Sequence, residues 1–170
     1  NIVSDAADFR RGLDRPGKRG GSGVIVEGLL TPGAVHRVGV AMFVVGSLIG
    51  LWLVYLRGLP VLWLGLAGLA GGFFYGGNRF GYKYFALGDV MVFLFMGPGI
   101  VIGTYYVLTG RFDPAALYAS LPVGCLVTAI LHGNNIRDIE QDIPVRARTL
   151  ANVVGARAAS AIYQLLVYGA

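Results

Sequence analysis

PAALYASLPVGCLVTAILHGNNIRDIEQD, residues 114–142, opens with 23 residues free of charge and closes on a tight acidic cluster. Twenty-three helical residues extend about 35 Å, enough to cross a hydrocarbon core of about 30 Å. The cluster follows at once, in Asn134-Asn135-Ile-Arg137-Asp138-Ile-Glu140-Gln-Asp142. Positions three and four apart share a helix face, so Asn134, Asp138 and Asp142 form one stripe, which Asn135 can join. Carboxylates beside an apolar span are costly to keep, and such groups mark functional sites.

The rest of the chain repeats this pattern. Three more uncharged runs precede it: Val38–Leu56, Gly58–Asn78 and Val90–Gly110, of 19, 21 and 21 residues. Hydrophobic residues make up 55% of the 170 and charged residues 14%, with mean hydropathy +0.65. That balance excludes an ordinary soluble domain. The fold class expected is all-α, a polytopic transmembrane helix bundle in which four runs cross the bilayer. A fifth run, Ala158–Ala170, reaches the last residue, and the chain begins inside a motif rather than at Met. The expected organisation is therefore a single transmembrane domain over 1–170, truncated at both ends, with no signal peptide to discard.

Net charge is +5, but its distribution argues against nucleic acid as the partner. Twelve of the fourteen cationic residues fall on one side if every run crosses, leaving Arg57 and Arg111 on the other. Such asymmetry places the twelve in the cytoplasm and the protein in the cell membrane. Cys125 lies mid-span and reads as a packed apolar residue.

Local signals mark the helix ends. Thr31-Pro32 has the chemistry of an N-cap and first turn, so a helix is expected from there to about Leu56. Arg57-Gly58 and Arg111-Phe-Asp113 are tight turns, and Gly97-Pro98-Gly99 predicts a kink that bundle neighbours can tolerate. The fourth helix is expected to run unbroken from Pro114 to about Asp142, with Ile143-Pro144 ending it. The pairs Gly46/Gly50 and Gly68/Gly72 have the spacing of close helix contact, within one bundle or between two copies. Packing within the bundle is the expectation.

A second acidic group, Asn1-Ile-Val-Ser-Asp5-Ala-Ala-Asp8, places Asn1, Asp5 and Asp8 on one stripe at the end of another helix. With an even number of crossings between them, both stripes meet at one membrane face. Carboxylates and amide oxygens are hard ligands suited to Mg²⁺ bridging a phosphate. His132 has no partner in these clusters and no cysteine is near, so zinc is not expected. Arg137, Arg146, Arg148 and Lys83 are candidate phosphate donors. The three arginines at 146, 148 and 157 are equally explained as topology determinants, and Tyr82 and Tyr84 beside Lys83 as interfacial aromatics.

Asn1-x-x-x-Asp5-x-x-Asp8 and Asn134-Asn135-x-Arg137-Asp138-x-x-x-Asp142 resemble the two aspartate motifs of the UbiA superfamily of intramembrane prenyltransferases. Leu87-Gly-Asp89, Met96–Gly110, His132–Asp138 and Arg148-Thr-Leu150 are similar to its naphthoate-prenylating, menaquinone-synthesising branch. The resemblance covers essentially all 170 residues. It implies a bundle of about nine helices and a cytoplasm-facing cavity. In it, Asp5, Asp8, Asp138 and Asp142 would hold Mg²⁺, aided by Asn1 and Asn135. Asn1, Lys83, Asn135, Arg137, Arg146 and Arg148 would contact a polyprenyl diphosphate, and Asp8, Asp138, Asp142 and Lys83 would carry catalysis. The implied reaction moves the prenyl group onto 1,4-dihydroxy-2-naphthoate, with decarboxylation. Aromatic residues at 73–75, 93, 95, 105 and 106 would keep water from the allylic cation. Ser4, Ile143 and Arg146 depart from the family pattern, where Asn, Arg and Gly are usual. Related enzymes acting on 4-hydroxybenzoate, a glycerophosphate lipid or chlorophyllide share both motifs, and a cation-coupled transporter also places Asp and Asn at helix breaks.

Overall fold

Thr31 starts the first long helix as its chemistry requires: its hydroxyl accepts from the Ala34 N–H at 3.2 Å, and Pro32 takes the first helical position. The computed structural model describes residues 23–76, 81, 85–142 and 148–170, with helical positions also at Ile2, Ala6 and Phe9. Helix α1 is Pro32–Arg57 and α2 is Leu59–Gly76. Gly58 joins them with φ +79°, a left-handed value suited to glycine.

The next span is composite, with α3 at Gly88–Leu94, a π-turn at Phe95–Gly99 and α4 at Ile100–Thr109. Pro98 brings no N–H to the ladder, and the Ile100 N–H reaches back five residues to the Phe95 carbonyl. The expected kink at Gly97-Pro98-Gly99 is therefore a one-turn widening of a continuous span. Helix α5, Pro114–Arg137, starts at an Asp113 cap whose carboxylate accepts from Ala115 N–H at 2.8 Å. Short helices α6 (Ile139–Asp142) and α7 (Leu150–Val154) follow, then α8 (Ala156–Tyr168).

Among the described residues three spans are long and apolar enough to cross a membrane: Pro32–Arg57, Gly88–Thr109 and Pro114–Arg137. Helix α2, charge-free as expected, is shorter at 18 residues, about 27 Å. The most apolar window of each of the first two spans is only 6% buried, against 28% for α5. Trp52, Tyr55, Trp63 and Leu108 stand exposed along these spans. An apolar surface of that extent suits lipid, not water.

Neighbouring spans run antiparallel, as paired positions show. Gly72 faces Phe43, Gly71 faces Phe95, Gly103 faces Leu64, and Gly97 faces Gly124. The closest approach of one span's backbone to another's is at Gly97, where a β-carbon would lie 2.6 Å from the Gly124 Cα and 2.9 Å from the Ser120 carbonyl oxygen. Helix α5 makes this possible with Ala116, Ser120, Gly124, Thr128 and His132, all buried at four-residue intervals. The expected glycine seams differ. A β-carbon on Gly72 would lie 3.4 Å from Phe43, but one on Gly46, Gly50 or Gly68 would meet no described atom of another element within 4 Å. Small residues join helices where a partner backbone arrives, and here it arrives on α5.

Candidate active site

Antiparallel packing sorts the helix ends into two groups. The start of α1, the start of α3 and the end of α5 lie at one end of the bundle. The α1–α2 turn and the α4–α5 turn lie at the other. Ala6 is buried with Ile25 and Val35, beside the start of α1 and so at the same end as the cluster 134–142.

The end of α5 carries the second acidic stripe. The Asp138 N–H bonds the Asn134 carbonyl at 3.0 Å, and the Asp142 N–H bonds the Asp138 carbonyl at 2.9 Å. Four-residue steps thus persist through the cluster, although the helix is interrupted at Asp138 (φ −96°, ψ 5°) rather than running unbroken to Asp142. Asn134 is exposed, Asn135 and Asp138 are half-buried, and Asp142 is buried.

Arg137 does not project freely toward a ligand. Its Nε and Nη2 donate to the two carboxylate oxygens of Asp138 at 2.8 and 2.9 Å, a bidentate pair. Asp138 is thereby held in one orientation, and a cation reaching its oxygens shares them with Arg137.

His132 is not alone, contrary to the sequence reading. Its Nδ1 bonds Asp89 Oδ2, and its Nε2 lies 3.0 Å from the Ala159 carbonyl. Asn135 Nδ2 donates to the other Asp89 oxygen at 3.1 Å. His132 is 0% exposed and Asp89 4%. This network ties α3, α5 and α8 together under the acidic end. Sequence reasoning passed over Asp89 as a site residue, since nothing local links a lone carboxylate to a motif 46 positions later. The available signal was its charge immediately before an uncharged span.

Two loops meet at the same end. Phe85 and Arg148 form a parallel bridge, and the Ala86 N–H donates to the Arg148 carbonyl at 2.6 Å. Ala86 adopts φ +59°, a conformation that costs a non-glycine residue about 1–2 kcal/mol. Arg148 is exposed beside that bridge. Of the other expected site residues, Asn1, Asp5, Asp8, Lys83 and Arg146 lie outside the described residues, as do Ile143 and Pro144.

The aromatic expectation divides. The Phe93 ring packs on Gly124 and the Phe95 ring on Gly71, within the bundle. Phe73 and Phe74 are exposed. Tyr105 and Tyr106 belong to the opposite end. Tyr105 donates to Asp113 at 3.3 Å, and Tyr106 stacks on Phe112 at 4.4 Å. Sixteen helical residues separate Tyr105 from Asp89, about 24 Å, so this pair closes the far turn and does not line the acidic end.

Among the described residues no three His, Cys, Asp or Glu side chains converge as a metal cage. The donors at the end of α5 are oxygens only: Asp138, Asp142, Asn134 and Asn135. Such a half-set fits Mg²⁺, which takes one or two carboxylates and fills its shell with phosphate and water.

The chain matches the model of the UbiA prenyltransferase family over residues 1–170. It is 34% identical over 171 positions to UbiA prenyltransferase domain-containing protein 1 of Rattus norvegicus, covering 99% of this chain and 50% of that protein. The human protein of the same name is 33% identical with the same coverage. The 1,4-dihydroxy-2-naphthoate octaprenyltransferase of Bacillus subtilis (strain 168) is 32% identical over 162 positions, 94% of this chain and 51% of that enzyme. The chain thus spans about half the length of the curated relatives it matches. A match over every residue, with helices that expose apolar faces and an oxygen-rich helix end, carries one conclusion: this chain belongs to the UbiA prenyltransferase family.

Proposed function

We propose that the full-length protein transfers a polyprenyl group from an isoprenyl diphosphate to 1,4-dihydroxy-2-naphthoate, with loss of the acceptor carboxylate, at the cytoplasmic face of the cell membrane. The observation that carries the reading is the stripe of oxygen-bearing side chains Asn134–Asp138–Asp142 at the end of a membrane-length apolar helix, in a chain of this family. The cationic asymmetry about the spans supports the cytoplasmic side.

In this reading Asp138 and Asp142, with Asp5 and Asp8 of the first motif, hold Mg²⁺, and Asn135 and Asn1 complete the oxygen set. When bound, Mg²⁺ supplies neutralisation of the charge that develops on the departing diphosphate. Arg137, Lys83, Arg146 and Arg148 take the remaining phosphate oxygens. For Arg137 this means exchanging one carboxylate contact for a phosphate contact, which its fork geometry permits. Loss of the diphosphate leaves an allylic cation. The electron-rich acceptor ring attacks it at the carbon bearing the carboxylate, forming the C–C bond, and that carboxylate leaves as carbon dioxide, its bonding pair returning to the ring to restore aromaticity. The apolar walls of the spans keep water away meanwhile.

The test is Mg²⁺-dependent incorporation of prenyl label by the intact protein, with dihydroxynaphthoate and hydroxybenzoate offered in parallel. Asp138→Ala and Asp142→Ala should each lower the rate by roughly 100-fold or more, the scale of losing one main electrostatic stabiliser. Retained activity in either would count decisively against the assignment. A second acceptor has one observation in its favour. The Tyr105-Tyr106 segment, which carries much of the branch resemblance, sits at the opposite end of the bundle. A preference for hydroxybenzoate, a glycerophosphate lipid or chlorophyllide would select that alternative. Cation-coupled transport without pyrophosphate release would remove both.

A further inference from the structure

We propose that Asp89 and His132 are positioning residues that lock the side-chain amide of Asn135 with its NH₂ group turned inward, leaving its oxygen for the cation. The inference rests on the reading that the end of α5 binds a divalent ion.

Hydrogen-bond roles decide the orientation. The Ala159 carbonyl can only accept, so His132 Nε2 must carry a hydrogen. One further proton joins His132 Nδ1 to Asp89 Oδ2. Asp89 Oδ1 is then a pure acceptor, and the group it meets at 3.1 Å must be the amide NH₂ of Asn135. A flipped amide would set oxygen against oxygen in a buried site. The amide oxygen is thus the end left over. Asn135 lies three residues before Asp138 and seven before Asp142, on the face these carboxylates share. An amide oxygen is a hard ligand, whereas an NH₂ group would repel a cation.

A role in packing alone does not account for the arrangement. The π-turn that continues α3 already meets α5 backbone to backbone at Gly97 and Gly124. A buried Asp–His pair generally adds little net stability over an apolar pair of the same volume. What the pair supplies is a choice between the two faces of an amide. Metal sites commonly place such partners behind their ligands, and losing one weakens metal binding about 10- to 100-fold.

The experiment uses the full-length protein in lipid nanodiscs. Bound Mn²⁺ is read by electron paramagnetic resonance with a non-reactive prenyl thiodiphosphate present. Asp138→Ala is the reference: if it binds Mn²⁺ as tightly as the parent, the metal reading itself fails. With that arm abolishing binding, Asp89→Leu, which removes the acceptor that holds the amide, should weaken Mn²⁺ binding about 10- to 100-fold. The double variant Asp89→Leu/Asn135→Ala should bind no more weakly than Asn135→Ala, because the effect of Asp89 passes through that amide. Unchanged binding in Asp89→Leu, or penalties that multiply in the double variant, would overturn the proposal. Should Asp89→Leu fail to fold, Asn135→Asp decides the question. It adds a carboxylate to the site yet sets it against Asp89, so Mn²⁺ binding should fall at least tenfold. Tighter binding would show a freely turning ligand and overturn the proposal.

Discussion

The two ends of the bundle handle polar groups in opposite ways. At the α4–α5 turn, Arg57 donates to the carbonyls of Val107 and Leu108 at 2.5 and 2.8 Å, and Tyr105 reaches Asp113, all at exposed positions. These contacts satisfy helix-end groups that any antiparallel pair leaves open. At the other end His132 and Asp89 are withdrawn from solvent, and Asn135 is held by the same carboxylate. Burying such groups has a desolvation cost that capping a turn does not require. Polar residues at the far end finish helices, while those at the acidic end orient one another.

Four substitutions probe that contrast. His132→Ala should have the largest effect, about 3 kcal/mol of destabilisation, since it strips a partner from the buried Asp89 and from the Ala159 carbonyl. Thermal unfolding of the intact protein in detergent would measure it, and a loss below 1 kcal/mol would mean that the network is not closed. Gly97→Ala should come next, at roughly 1–3 kcal/mol, because its methyl group would collide with the α5 backbone. Gly46→Ala is the matched control: it meets open space in α1 and should leave the unfolding temperature unchanged or slightly raised. Equal effects at 97 and 46 would refute the assignment of the seam to α5. Of the three destabilising changes, Arg57→Ala should have the smallest effect, about 0.3–1 kcal/mol, the range for an exposed cation at a helix end. It should leave Mn²⁺ binding at the acidic end unchanged, which the same resonance assay can check.

Most of the architecture was legible because its signals are local. Thr31 caps α1 and Pro32 follows it, Asp113 caps α5, and Gly97-Pro98-Gly99 distorts the third span as its missing N–H demands. The acidic stripe was legible for the same reason, since helical periodicity alone sets Asn134, Asp138 and Asp142 on one face. The helix seam was legible only in part. Spacing picks out every pair of small residues four apart, yet Gly46, Gly50 and Gly68 follow that rule without a partner among the described residues. The run Ala116, Ser120, Gly124, Thr128, His132 obeys it too, and was hidden because only one member is glycine.

Charge-free runs, caps and a repeat of 3.6 residues are properties of the chain taken a few turns at a time, so the amino-acid order determined a membrane helix bundle with one helix ending in a stripe of Asn and Asp side chains. Which helix accepts its neighbour's backbone, that Arg137 turns onto Asp138, and that Asp89 reaches His132 and Asn135 were decided by the tertiary structure. These contacts join residues far apart in sequence or select one rotamer among several, and no local preference distinguishes them until the helices have packed.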